Sequence, residues 1–176
     1  MQLPVFIDIE ASSLSSSSYP IEIAWNDHEG NIHSYLISPV GITSWTDWSA
    51  KAEKIHGISQ DTLISQGQSP TWVAQAVQQQ LSKQVVYSDN PDYDEYWLGE
   101  LFKKSAGLSL DITVKSIDIL LTTILSTQFI EPAQLMFAIK SLKQQAKKQM
   151  TPQHRAASDV GYLLHLYRLA LQSPLV

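Results

Sequence analysis

Phe6-Ile7-Asp8-Ile9-Glu10, within the apolar run Leu3–Glu10, decides how the rest of the chain is read. A β-strand sends successive side chains to opposite faces. Phe6, Asp8 and Glu10 therefore share one face, and Ile7 and Ile9 the other. Two carboxylates side by side near a strand end repel each other unless something cationic is bound. A divalent metal that prefers oxygen ligands is the natural partner. Taken alone, the pair fits an edge strand with a solvated acidic face equally well.

Working outward, Tyr19–Asn26 and Asn31–Ser38 read as two further strands, and the polar turn Asp27-His28-Glu29-Gly30 joins them as a hairpin. Ser12–Ser18, with Leu14 inside it, reads as a solvated loop. Trp45–Ile55 holds a short helix closed by His56-Gly57. Thr71–Leu81 puts Trp72, Val73, Ala76, Val77 and Leu81 on one helical face. Gln84–Ser88 is a short strand, Asp92–Lys104 a helix and Leu108–Ile112 a last strand. Ile117, Leu120, Leu121, Ile124 and Leu125 mark an amphipathic helix, and Glu131-Pro132 opens another. Thr151-Pro152 supplies an N-cap and first-turn pair for a final helix over roughly 152–171. Strands joined by short turns pair antiparallel, whereas strands reached through helices can be parallel. The expected fold is α/β: a mixed five-stranded sheet, three antiparallel strands first and later strands parallel, flanked by helices.

The 176 residues suit one domain spanning 1–176, and a 44% hydrophobic content suits a packed core. A net charge of −5 argues against nucleic-acid binding through a broad basic surface. It permits an acidic site that meets phosphates through cations, which reverse the local sign. The absence of cysteine excludes thiolate metal sites, disulfides and cysteine nucleophiles. No apolar run approaches the roughly 20 residues of a membrane span, and the N-terminus lacks the basic start of a signal peptide. A cytoplasmic protein without membrane contact is the expectation.

Two further groups carry chemistry. In Tyr87-Ser88-Asp89-Asn90-Pro91-Asp92-Tyr93-Asp94, which follows a strand and opens a helix, Asp89, Asp92 and Asp94 are all candidates. One is expected to be functional, and Asp89 or Asp92 can serve as N-cap. In His154-Arg155-Ala156-Ala157-Ser158-Asp159, the small residues allow close approach to the sheet, which would bring Asp159 inward. An imidazole at His154 titrates near neutrality and can act as a general base.

Phe-Ile-Asp-Ile-Glu first, Tyr-Asp just inside the helix after a mid-chain strand, and His-x-x-x-x-Asp at the final helix occur here in one order. In that order they resemble the DEDDh 3′–5′ exonuclease superfamily, which includes ribonuclease T, oligoribonuclease and proofreading exonuclease subunits. Residues 19–25 and 54–59 also look like family segments, and the resemblance covers about 1–172. It implies a ribonuclease H-like fold, metal binding by Asp8, Glu10, Asp94 and Asp159, and His154 as the catalytic histidine. It further implies two Mg²⁺ or Mn²⁺ ions per site and a single-stranded RNA or DNA 3′ end as substrate. Ala11, Ser12, Leu14 and His56 are implied as substrate contacts, Leu14 as a wedge against the terminal base. The chain departs from the family at Ala11, where Thr or Ser is common, and at Asp89-Asn90, where His-Asn is common.

This set suits phosphodiester hydrolysis, which needs an in-line water nucleophile and stabilisation of the leaving oxygen. His154 would accept the proton of the attacking water. The rivals are a non-catalytic nucleic-acid or protein binding module of the same fold and a nuclease that cuts internally. Lys140, Lys143, Lys147 and Lys148 form a basic stripe that reads either as a track for the backbone or as an ordinary solvated face. Tyr19, Trp45, Trp48 and Trp97 are candidates for base stacking or for the core. The apolar helix faces leave room for a homodimer.

Overall fold

The computed structural model describes residues 2–129, 131–150 and 153–172. In chain order they form β1 (Val5–Ala11), β2 (Pro20–Asn26), β3 (Ile32–Leu36), α1 (Ala50–His56), α2 (Gln60–Gln66), α3 (Pro70–Leu81), β4 (Val85–Ser88), α4 (Pro91–Lys103), β5 (Thr113–Ser116), α5 (Ile117–Leu125), α6 (Pro132–Gln149) and α7 (Ala156–Gln172). The sheet order is β3-β2-β1-β4-β5. β1, β2 and β3 pair antiparallel, and β4 and β5 join parallel to β1. The expected mixed five-stranded sheet flanked by helices is what the chain builds.

The alternation of β1 divides the core in two. Val5, Ile7 and Ile9 pack on one side with Val73 and Val77 of α3 and Trp97, Leu98 and Leu101 of α4. Phe6 faces the other side, among Ile117 and Leu121 of α5, Leu142 of α6 and Val160, Leu163 and Tyr167 of α7. Asp8 and Glu10 follow Phe6 on that face, so the strand that anchors both cores also carries acids out of its carboxyl end.

Several elements differ from the sequence reading. The last strand is Thr113–Ser116, and not Leu108–Ile112. Apolarity at 108–112 reports burial instead of pairing. Leu108 and Leu110 pack against the core and Ile112 is buried in it, while the parallel ladder to β4 runs from Val85–Thr113 to Ser88–Ser116. Ser116 ends this strand and at once caps α5, accepting the Asp118 N–H at 3.2 Å. Helix α2, too short for a clear period, is an addition; the Ser59 hydroxyl caps it. Trp72 is half exposed and meets Tyr35 edge-on, outside the buried face of α3. Asn90 is the N-cap residue of α4, and neither Asp89 nor Asp92 has that job. The final helix begins at Ala156; Thr151 and Pro152 lie outside the described residues.

The serine-rich loop is built into the fold. The Asp47 carboxylate accepts from the Ser13 and Ser15 hydroxyls, and the Ser12 hydroxyl accepts the Tyr19 N–H. Tyr96 Oη and Trp97 Nε1 of α4 donate to Ser16 O and Ser18 Oγ. The loop therefore holds Leu14, 71% exposed, in a fixed place. Tyr19 and Trp45 stack on each other at 5.1 Å inside the core, which removes them as base platforms. No helix among the described residues is long and apolar enough to cross a membrane.

Candidate active site

β4 pairs with β1 only at Val5–Val86 and Phe6–Tyr87 and then ends at Ser88, while β1 continues to Ala11. A crevice opens there, at the carboxyl end of the strands and beside the reversal of sheet direction. That is where open α/β sheets bind ligands. The first turn of α4 enters it: the Asp94 carboxylate accepts from the Ser88 hydroxyl and from the backbone of Ile9, replacing the missing strand partner. Across β1, the ladder to β2 slips between Glu10 and Ala11. A bulge of this kind re-aims side chains at a strand end.

From the opposite side comes the start of α7. Glu10, His154 and Asp159 each offer a ligand atom within 4.8 Å of the others. The Gln153 N–H donates to Asp159 Oδ1 at 2.9 Å. Asp94 is 3% exposed and faces the same cluster. The five residues expected to carry the chemistry thus meet in one place, although Asp8 and Asp94 stand outside the tight Glu10–His154–Asp159 group. Asp89, exposed at the rim, adds a fifth negative charge. Asp92 is exposed on the helix surface.

The electrostatics follow from this crowding. Burial first, then the charges of Asp94, Glu10, Asp159 and Asp89, push the Asp8 carboxyl well above its usual range. Burial and Asp159 raise Glu10 to about 7, against the pull of Arg155. Burial also raises Asp94, opposed by the Ser88 bond, and raises Asp159, opposed by the Gln153 N–H. The nearest guanidinium, Arg155, is occupied by Glu22, which it binds through two nitrogens. A cluster of carboxylates, one imidazole and no uncommitted guanidinium fits a divalent cation with oxygen ligands.

This predicts how stability depends on pH. Folded pKa values above the unfolded ones mean that the folded chain holds protons the unfolded chain has released. Their stabilising contribution is complete at low pH and is lost as pH rises through the folded values. For Glu10, the rise from 4.5 to about 7 corresponds to roughly 3 kcal/mol. In EDTA, Tm is expected to fall by several degrees between pH 5 and pH 8, and Mg²⁺ should erase the fall. A flat or rising profile in EDTA would count against a repulsive cluster.

Beside the acids lies a pocket of about 570 Å³, lined by Glu10, Ala11, Leu14, His56, Trp97 and His154 among others. Gly57, at φ +69°, caps α1 and turns the chain so that His56 stays buried. His56 Nδ1 accepts the Ile58 N–H at 3.1 Å, so Nε2 carries the proton. That Nε2 is buried and has no hydrogen-bond partner among the described residues. Ser12 is not part of the pocket: its hydroxyl is committed to Tyr19, and Ser13 lines the wall in its place. Along α6 the basic stripe is interrupted, because Asp118 of α5 takes the Lys143 ammonium.

No family model and no curated protein matches the chain. Solved structures do. The mixed five-stranded sheet flanked by helices is a ribonuclease H-like fold shared with solved exonuclease structures. More particularly, it is similar to part of exonuclease I. The zinc-bound form of the E. coli enzyme with single-stranded DNA aligns over 96% of this chain and 40% of its own, with a TM-score of 0.67 and 17% identity. Its complex with a dA16 oligonucleotide gives a TM-score of 0.65 at 15% identity over the same shares. A further exonuclease I structure gives 0.68 and 16%. The chain spans about 40% of the length of these proteins.

Proposed function

We propose that this chain is a metal-dependent 3′–5′ exonuclease that hydrolyses the terminal phosphodiester of single-stranded nucleic acid. The observation that carries the reading is the meeting of Asp8, Glu10, Asp94, Asp159 and His154 at the carboxyl end of β1, in a fold shared with exonuclease I. Asp8, Glu10, Asp94 and Asp159 would hold the cations. Two Mg²⁺ or Mn²⁺ ions, when bound, supply charge neutralisation at the phosphate and lower the pKa of the attacking water. His154 accepts that water's proton. The pocket beside them takes the terminal nucleotide, with Leu14 as the apolar wedge and Trp97 as one wall. The buried His56 Nε2–H, otherwise unsatisfied, donates to a substrate oxygen there, since leaving a buried donor unpaired costs about 1–3 kcal/mol. Burial holds the His56 pKa below its ordinary value, so the ring stays a neutral donor.

Single-stranded DNA is the favoured substrate, because the structural relatives were solved with DNA oligonucleotides. The test is incubation with 3′- or 5′-labelled single strands of DNA and RNA, in Mg²⁺, Mn²⁺ or EDTA. Expected are immediate release of mononucleotide from the 3′ label, a shortening ladder from the 5′ label, and no reaction in EDTA. Cleavage of circular strands would establish an endonuclease. Binding without cleavage in any metal would establish a non-catalytic module.

A further inference from the structure

We propose that Glu22 is a positioning residue for His154: a buried carboxylate on β2 that clamps the start of α7 and thereby fixes the imidazole beside the acids. This rests on the reading of His154 as proton acceptor. Glu22 is 3% exposed and sits directly across the β1–β2 ladder from Glu10. Its Oε1 accepts Arg155 Nη2 at 2.8 Å, and its Oε2 accepts Arg155 Nε at 3.0 Å. Oε2 also accepts the backbone N–H of Ala156, the first residue of α7, at 3.0 Å. Ser34 Oγ lies at 3.5 Å from Oε1.

One distant carboxylate therefore does two jobs. It satisfies a backbone donor at the helix start, as an N-cap residue would, where the helix dipole favours negative charge. It also grips the side chain of the residue that follows His154. The bidentate fork fixes direction as well as distance, which a single bond would not. His154 needs such a hold, because its φ of +51° is a left-handed conformation that disfavours any residue but glycine. The residue before it is tied as well, through the Gln153 N–H on Asp159. His154 is thus bracketed by two anchors, one on the acid cluster and one on the neighbouring strand. Arg155 in turn holds both oxygens of Glu22 in an ion pair, which commits this carboxylate to the helix start.

Glu22→Gln keeps the side-chain shape and one acceptor oxygen but removes the charge and the fork. Displacing a catalytic group by about 1 Å can cost up to about 10²-fold. The expected result is a kcat lowered by roughly 10- to 100-fold on single-stranded DNA, with KM within about twofold and the Mg²⁺-induced rise in Tm retained. In a His154→Ala background the same change should cost less than about twofold, because nothing remains to position. Amide hydrogen exchange over 153–158 should accelerate. Equal losses in both backgrounds would overturn the proposal, as would unchanged exchange. If His154→Ala itself left kcat intact, the proton-acceptor reading would fall, while the exchange measurement would still decide the clamp. Should Glu22→Gln fail to fold, Arg155→Lys retains the charge without the fork. It should show a smaller loss with the same dependence on His154, and full activity in that variant would overturn the proposal.

Discussion

Asp8→Asn is expected to abolish hydrolysis, with kcat reduced by at least about 10³-fold, the size of losing a main electrostatic stabiliser of a transition state. The same change should raise the Tm of the protein in EDTA at pH 8. Asp8 is the acid at which the charges of Asp94, Glu10, Asp159 and Asp89 all converge. Once ionised without a cation, it is repelled by every neighbour. Asparagine keeps the shape and removes that repulsion. A gain of about 1–3 kcal/mol would appear as a rise of roughly 3–10 °C. Toward pH 5, as more of Asp8 takes up a proton, the gain should shrink. The Mg²⁺-dependent rise in Tm should fall away in the variant, because a main ligand is missing. Melting curves at both pH values, with EDTA and with Mg²⁺, read all of this. A variant that stays active, or that melts lower than wild type in EDTA at pH 8, would remove Asp8 from the centre of the site.

The Asp8–Glu10 face was legible because strand periodicity is two and Phe6, Asp8 and Glu10 obey it. His154 and Asp159, which flank the small residues Ala156-Ala157-Ser158, were legible only together with the other two groups, through the family resemblance. The choice among Asp89, Asp92 and Asp94 was not settled by the residues themselves. It depends on β4 stopping at Ser88 and α4 starting at Pro91, which turns Asp94 inward to the Ile9 backbone and leaves Asp92 in solvent. Glu22 was passed over as one more residue of an apolar strand. Its signal was available: a charge inside Pro-Ile-Glu-Ile-Ala-Trp, a segment buried on both faces, needs a partner of opposite charge. The partner, Arg155, is 133 residues away, and only the tertiary fold shows which cation it is. β5 was misplaced for a related reason. Leu108, Leu110 and Ile112 are apolar because they plug the core, whereas the ladder position is fixed by pairing with β4, which composition does not record. The serine-rich loop looked solvated because its partners are distant in sequence: Asp47 accepts from Ser13 and Ser15, and Tyr96 and Trp97 of α4 donate to Ser16 O and Ser18 Oγ.

His154→Ala is expected to lower kcat by roughly 10²–10⁴-fold, the usual size of general-base assistance. The ring is exposed in the segment before α7, with a nitrogen within 4.8 Å of Glu10 and Asp159 oxygens. That position lets it reach a water held among the acids, and its exposure lets the proton pass on to solvent. Only a neutral imidazole accepts a proton, so a rising limb of the pH–rate profile that depends on this ring should be absent from the variant. The Mg²⁺-induced rise in Tm should persist, since four carboxylates remain to hold cations. This separates His154 from Asp8: both variants lose turnover, but only Asp8→Asn loses the metal-dependent stabilisation. The exposed position also predicts little change in the Tm measured in EDTA. A His154→Ala protein that keeps the pH limb with near-normal kcat would move proton acceptance to a carboxylate or to solvent. One that loses the Mg²⁺ response would instead make His154 a ligand, the role its place beside Glu10 and Asp159 would then serve.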